Sequence, residues 1–415
     1  MKEAARPRLA IVSSWNVDCG NASYTYVLKK EFEKYYDVEV LGLDLHLLLR
    51  DGKKFRALAR RHIAEMAQRL KEFDYVNLQF EAGLYGANNG EILSNIKTLM
   101  DAAPNLILTM HRVDVHDSSL SREVVFFIKN KFSLKVLRQR RWLLSSARLY
   151  RGILKHAKHL STGKSVWVKV HTKREHRLIS EILNFKNVID APLAFLDAPE
   201  RERVQSDVRP SDLRRRYSLP PEAKILGAFG YIVDYKGFEA LMRAIRIMPD
   251  NWYLLIAGSQ HPMSIEPWTP IQPYLKKLLA WADSGPLSCE HRLRFIGNVD
   301  DNEFTFLLRN VDAVVLPYIE VGQSMSGIVA LAVESGARLF CSNNLSFAEV
   351  RRYYGDAFGR FDIGNHIEIA QKVLFDNTDW TIQRAEVYKN YNIASLVRLH
   401  RDIFEGRMKT LEARH

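Results

Sequence analysis

Short apolar runs alternate with longer segments of helical spacing along this chain, and the alternation occurs twice, once in each half. In the first half, residues 9–13 (LAIVS), 38–41 (VEVL), 75–79 (YVNLQ) and 106–110 (LILTM) read as strands, with helical stretches near 23–35 and 54–72. The second half repeats the pattern with strands at 225–229, 253–257, 294–296 and 313–316 and helices at 237–247, 301–309 and 326–335. Strands separated by helices pair in parallel, and strands without polar alternation are covered on both faces. The pattern predicts an α/β chain with two doubly wound parallel sheets. In such folds ligands bind beyond the carboxyl ends of the strands, here in a cleft between the two halves. Residues 192–221, rich in Pro, Asp and Arg and without apolar periodicity, are the expected junction.

A length of 415 residues is roughly two to three times a typical domain, which agrees with two domains. Hydrophobic residues make up 47% and charged residues 26%, which excludes a disordered, fibrous or membrane-spanning chain. Cys19, Cys289 and Cys341 are too few and too scattered for a disulfide framework, so a reducing compartment is expected. The N-terminal apolar run is shorter than the roughly 7–15 residues of a secretory signal, placing the chain in the cytoplasm, free or at a membrane surface.

Lys and Arg number 60 against 48 Asp and Glu, a formal charge of +12. The excess is local. Residues 129–174 contain no acid and 14 Lys and Arg, leaving the rest of the chain near neutrality. Apolar Leu134, Leu137, Trp142, Leu144, Leu149 and Leu154 are interspersed with these cations, a composition suited to a helix on an anionic membrane surface. It reads equally as a solvated basic face. No nucleic-acid-binding pattern accompanies it, so nucleic acid is not an expected partner.

Several loops after strands carry residues suited to anionic or hydroxylated ligands. After the first strand come Asn16, Cys19 and Gly20, where helix amides can approach a ligand; the same stretch reads as a tight turn capped by Asn21 or Ser23. Gln79 and Glu81 close the third strand, and His111 follows the fourth. In the second half, Lys236 precedes Gly237 at a helix start, where an ammonium and free amides converge on a phosphate. The segment 316–336 joins a buried strand through Ser324, Ser326 and Gly327 to an apolar helix, offering hydroxyls and unpaired amides to a diphosphate.

The ordered series CGxxxYT (19–25), QFEAGLYG (79–86), TMH (109–111), FGxxxxYKG (229–237), IAG (256–258), FIGNV (295–299) and PYxExGQSxSG (317–327) resembles nucleotide-sugar glycosyltransferases of the GT-B fold, and most closely retaining family 4. The resemblance spans residues 9 to about 350. It implies two Rossmann-like domains facing a cleft: an acceptor domain at 1–195, a donor domain at 196–388, and a helix at 389–415 crossing back to the first. It further implies that Gly20 lies in a loop over the substrates, with Asn16, Gln79 and Glu81 on the acceptor side. His111 would line the reacting centre, Lys236 would contact the donor diphosphate, and Glu320 or Gln323 the transferred sugar. Gly230, Tyr231, Gly258, Ser324, Ser326 and Gly327 would complete the donor site. No metal ion or other cofactor is implied, only a UDP- or GDP-linked sugar and a glycan or lipid-linked acceptor in surface-polysaccharide or lipopolysaccharide assembly.

The series departs from the family where two glutamates usually stand eight positions apart; Gln323 and Leu331 occupy those positions, and Tyr231 stands where an Arg is usual. Glu320 and Glu334 lie nearby but out of register. Two alternatives therefore accompany the leading reading: a GT-B epimerase or phosphorylase, and an inactive carbohydrate-binding homologue.

Overall fold

The computed structural model describes residues 6–17, 19–113, 134–260, 268–283, 290–320 and 324–408, with only the backbone over 134–143 and at 290. The chain divides into two units, one formed by the residues up to Ala191 together with those from Ala394, the other by Pro192–Ile393.

The first unit holds six parallel strands: β1 (Arg8–Ser13), β2 (Asp37–Gly42), β3 (Tyr75–Phe80), β4 (Leu106–Met110), β5 (Val166–Val170) and β6 (Val188–Asp190), in the order β2-β1-β3-β4-β5-β6. Ile11 of β1 pairs with Val40 on one side and Asn77 on the other. The chain runs outward from β1 in both directions, so the loops after β1 and β3 flank the point where the strand order reverses, the usual ligand position in such sheets. Helices cover both faces. The helix Lys53–Leu70 buries Ala59, Ile63, Met66, Ala67 and Leu70, one stripe at helical period. The final helix, Ile393–Phe404, also belongs here: the Phe404 ring stacks on Tyr75 with centroids 4.8 Å apart, and His400 meets the Phe32 ring edge-on at 5.5 Å.

The second unit repeats the plan with β7 (Lys224–Phe229), β8 (Trp252–Ala257), β9 (Leu293–Gly297), β10 (Ala313–Leu316), β11 (Leu339–Ser342) and β12 (Gly359–Phe361) in the order β12-β11-β10-β7-β8-β9. Here the order reverses between β7 and β10. The helix Phe238–Ile247 packs Phe238, Leu241, Met242 and Ile245 into the core formed with Leu226, Leu254 and Ile256.

Residues 192–221, expected as the junction, hold the helices Ala198–Ser206 and Pro210–Arg216. Each buries a single side chain, Val204 and Leu213, which leaves no apolar period to detect. Within the expected C-terminal helix at 389–415 the described helix is Ile393–Phe404, separated at Tyr391 from the preceding helix Thr381–Asn390; residues 409–415 lie outside the described ones. The basic segment 129–174 is not one charged surface. Its first five residues lie outside the described ones, a helix occupies Leu134–Leu160, and β5 follows, with Lys169 fully buried. Lys158 and Lys164 donate to the carbonyls of Asn184, Met100, Asp101 and Ala103. Among the described residues no helix is long and apolar enough to cross a membrane.

Candidate functional site

In the second unit the loops after β7 and β10 are held against each other by the backbone bond Ile319 N–H to Tyr235 O, 2.8 Å. Glycines make the approach possible. Gly237 has φ 67°, and a Cβ there would sit 2.3 Å from the Pro317 oxygen. A Cβ on Gly258 would sit 2.0 Å from the oxygen of Gly230, which itself has φ 99°. Both distances forbid any side chain.

Lys236 ends a single 3₁₀ turn, Asp234–Lys236, and is 5% exposed. Its Nζ donates to the Tyr318 hydroxyl and lies 3.8 Å from the centre of the Tyr318 ring. No ion pair to Lys236 is found among the described residues, and burial lowers its pKa to about 7. Tyr318 also hydrogen-bonds Ser326, and Ser342 Oγ donates to the Tyr318 carbonyl at 2.6 Å. Ser326 is the N-cap of the helix Gly327–Glu334 but makes no side-chain cap bond. Ser324 and Ser326 are buried beside it, and a Cβ on Gly327 would crowd Phe195 at 3.0 Å. The half-buried Tyr231 follows Gly230 in the same loop.

The nearby glutamates serve backbone amides. Glu320 accepts from Leu345 N–H at 2.7 Å, at the start of the helix Leu345–Tyr354. Glu334 is buried at the far end of its helix, where it accepts from the amides of Phe195 and Leu196. Its pKa is raised to about 8, chiefly by burial. Gln323 lies outside the described residues.

In the first unit, Cys19 is the N-cap of the helix Gly20–Phe32, extended and without a side-chain cap bond, so neither Asn21 nor Ser23 caps it. Ser14 Oγ and Cys19 Sγ are 3.0 Å apart across the turn, which exposed Asn16 completes at φ 54°. Gly20 faces open space. Glu81 is half-buried and precedes the short turn Ala82–Leu84. His111 follows β4, and both its ring nitrogens are engaged. Nε2 is 2.8 Å from Gln79 Oε1 and Nδ1 is 3.2 Å from His171 Nε2. Burial first, then the Lys169 charge, lower its pKa to about 3, so the ring is neutral at physiological pH and a weak base, with both nitrogens already bonded.

The structure thus joins Lys236 with Ser324, Ser326, Gly230 and Gly258 at the strand-order reversal of the second sheet, and His111 with Gln79 in the first. Sequence reasoning missed Tyr318, Lys169 and His171. Tyr318 stood in a quoted motif without a role, and the other two were absorbed into the basic segment.

No protein-family model and no curated protein matches the chain. Solved structures do. Anabaena HepE in complex with UDP-glucose shares 14% identity at a TM-score of 0.62, over 97% of this chain and 99% of that one. Thermosynechococcus elongatus sucrose-phosphate synthase shares 15% at 0.64, over 97% and 100%. WaaG, a glycosyltransferase involved in lipopolysaccharide biosynthesis, shares 14% at 0.58, over 96% and 100%. The likeness is one of fold: the chain has the GT-B architecture of two Rossmann-like domains.

Proposed function

We propose that this chain transfers a sugar from a nucleoside diphosphate to an acceptor hydroxyl, with retention of anomeric configuration. Lys236 carries the reading: a buried cation without a carboxylate among its described partners, beside an uncapped helix start where two parallel strands diverge. Such a group costs stability unless an anion completes it, and a diphosphate matches ammonium, amides and serine hydroxyls together. As the glycosidic bond breaks, charge grows on the departing diphosphate, and groups already oriented toward it lower the barrier. Lys236 and the amides near Ser326 do the neutralising that a divalent ion does in other transferases, so activity should survive EDTA.

The structural likeness to HepE, solved with UDP-glucose, favours a uridine donor. That to WaaG favours a lipid-linked or surface-polysaccharide acceptor, reached at the inner membrane face. A second reading, binding without turnover, is favoured by Glu320 and Glu334, both committed to backbone amides.

The test is a thermal-shift screen of UDP- and GDP-linked sugars, followed by transfer or hydrolysis of the stabilising donor, with the product anomer assigned by NMR. Stabilisation with turnover supports transfer; stabilisation without hydrolysis or transfer supports the binding reading. No stabilisation by any nucleotide sugar overturns both.

A further inference from the structure

Six side chains of the first unit form one hydrogen-bonded row across the carboxyl ends of three neighbouring strands: Asn77, Gln79, His111, His171, Lys169 and Tyr24. All are buried except the half-buried His111. The row has a direction. Gln79 Nε2 donates to Asn77 Oδ1, which turns Gln79 Oε1 toward His111 Nε2 at 2.8 Å. A carbonyl oxygen only accepts, so His111 carries its proton on Nε2. His111 Nδ1 is then a lone pair facing His171 Nε2 at 3.2 Å, and His171 too is protonated on Nε2. This leaves His171 Nδ1 as an acceptor, with Lys169 Nζ 3.1 Å away. An ammonium can only donate. The opposite order, with His171 Nδ1–H directed at the Ala191 carbonyl 3.3 Å away, would set an N–H against that ammonium and reverse both amides of the row.

We infer that Lys169 is a positioning residue: by donating to His171 Nδ1 it holds both imidazoles in the Nε2–H tautomer and locks the ring of His111. The importance of that lock for sugar transfer rests on the proposed function; the tautomers themselves do not.

The surroundings agree. Burial lowers Lys169 to about 7, opposed by Glu175, and takes His171 well below its usual range. At pH 6 both rings are therefore neutral while Lys169 is protonated. The other titratable groups facing Lys169 are Tyr24, whose hydroxyl is 3.3 Å from Nζ, and His400 from the final helix. Tyr24 meets both imidazoles edge-on, at 5.8 and 6.2 Å, which fixes their planes. An orienting lysine inside a strand is costly to bury, and a directed donor at one nitrogen is what that position supplies.

Histidine-selective 15N NMR of the full chain at pH 6 tests this. The expected spectrum has His111 and His171 as neutral Nε2–H tautomers, and Lys169→Met moves His171 to the Nδ1–H form bonded to Ala191, with His111 following. An Nδ1–H tautomer of either ring in the unsubstituted protein, or tautomers unchanged by Lys169→Met, overturns the inference. The first arm needs no substitution and so survives a variant that does not fold. UDP-glucose hydrolysis is the parallel readout: Lys169→Met should slow it about ten- to a hundred-fold, as loss of orienting groups does elsewhere. Hydrolysis absent from the unsubstituted protein would count against the donor reading while the tautomer result stands.

Discussion

Lys236 and Tyr318, 82 positions apart in sequence, meet in one buried contact in which the ammonium both donates to the phenol oxygen and faces its ring. The contact holds a cation where an anion is expected to bind.

Replacing Lys236 by Ala should weaken nucleoside diphosphate binding by about 1.5–3 kcal/mol, the range for a charge-assisted hydrogen bond. Calorimetric titration with UDP and GDP measures it, and unchanged affinity would remove Lys236 from the donor site.

Affinity should also depend on pH. The Lys236 pKa is lowered to about 7, and the protonated form is the one that attracts a diphosphate. Binding should be flat below pH 7 and weaken above it by up to about tenfold per unit, with proton uptake on binding. Titrations in buffers of different ionisation enthalpy read the uptake. Stability runs the opposite way: between pH 7 and 10.5 the unfolded chain holds a proton that the folded chain lacks, so stability rises with pH. Lys236→Met should therefore be more stable than the parent at pH 6, by a margin that shrinks toward pH 10.

Glu334 behaves in the opposite sense. Its folded pKa of about 8 lies above the usual 4.5, so the folded chain holds the extra proton and stability falls as pH rises from 4.5 to 8. Glu334→Gln keeps an acceptor for the amides of Phe195 and Leu196 and should stabilise the second unit at pH 8 more than at pH 5. Urea unfolding at both pH values checks this, and a larger gain at pH 5 would contradict it.

Gly258→Ala should be severe, because its Cβ would lie 2.0 Å from the Gly230 carbonyl oxygen and backbone must move. A loss of roughly 3 kcal/mol or more is expected, with nucleotide binding reduced in whatever protein folds. A melting temperature like the parent's would show that the β7 and β8 ends are not so close.

Much of this was legible beforehand, for a physical reason. Residues 106–110 (LILTM) are apolar but for Thr109 and carry no charge, a run that neither an amphipathic helix face nor a solvated strand needs. Lys236 was legible because a cation before a glycine at a helix start has few other uses. Lys169 was not: a lysine among VWVKV at the end of a basic run reads as surface charge, and only the fold shows β5 covered on both faces. His171 gained its meaning from His111, 60 positions away, once β4 and β5 lay side by side. Glu320 was expected at the sugar, yet an amide at the start of a later helix takes one of its oxygens, a pairing that local sequence does not display.

The final helix has a consequence for how the protein is made. Phe32, Tyr36 and Tyr75 are translated before the residues that cover them, His400 and Phe404, which follow only after the roughly two hundred residues of the other unit. At ordinary elongation rates that interval is roughly 10–40 s. Through it the first sheet waits with the Phe32, Tyr36 and Tyr75 rings uncovered, so its aromatic face closes only when the second unit has already been made.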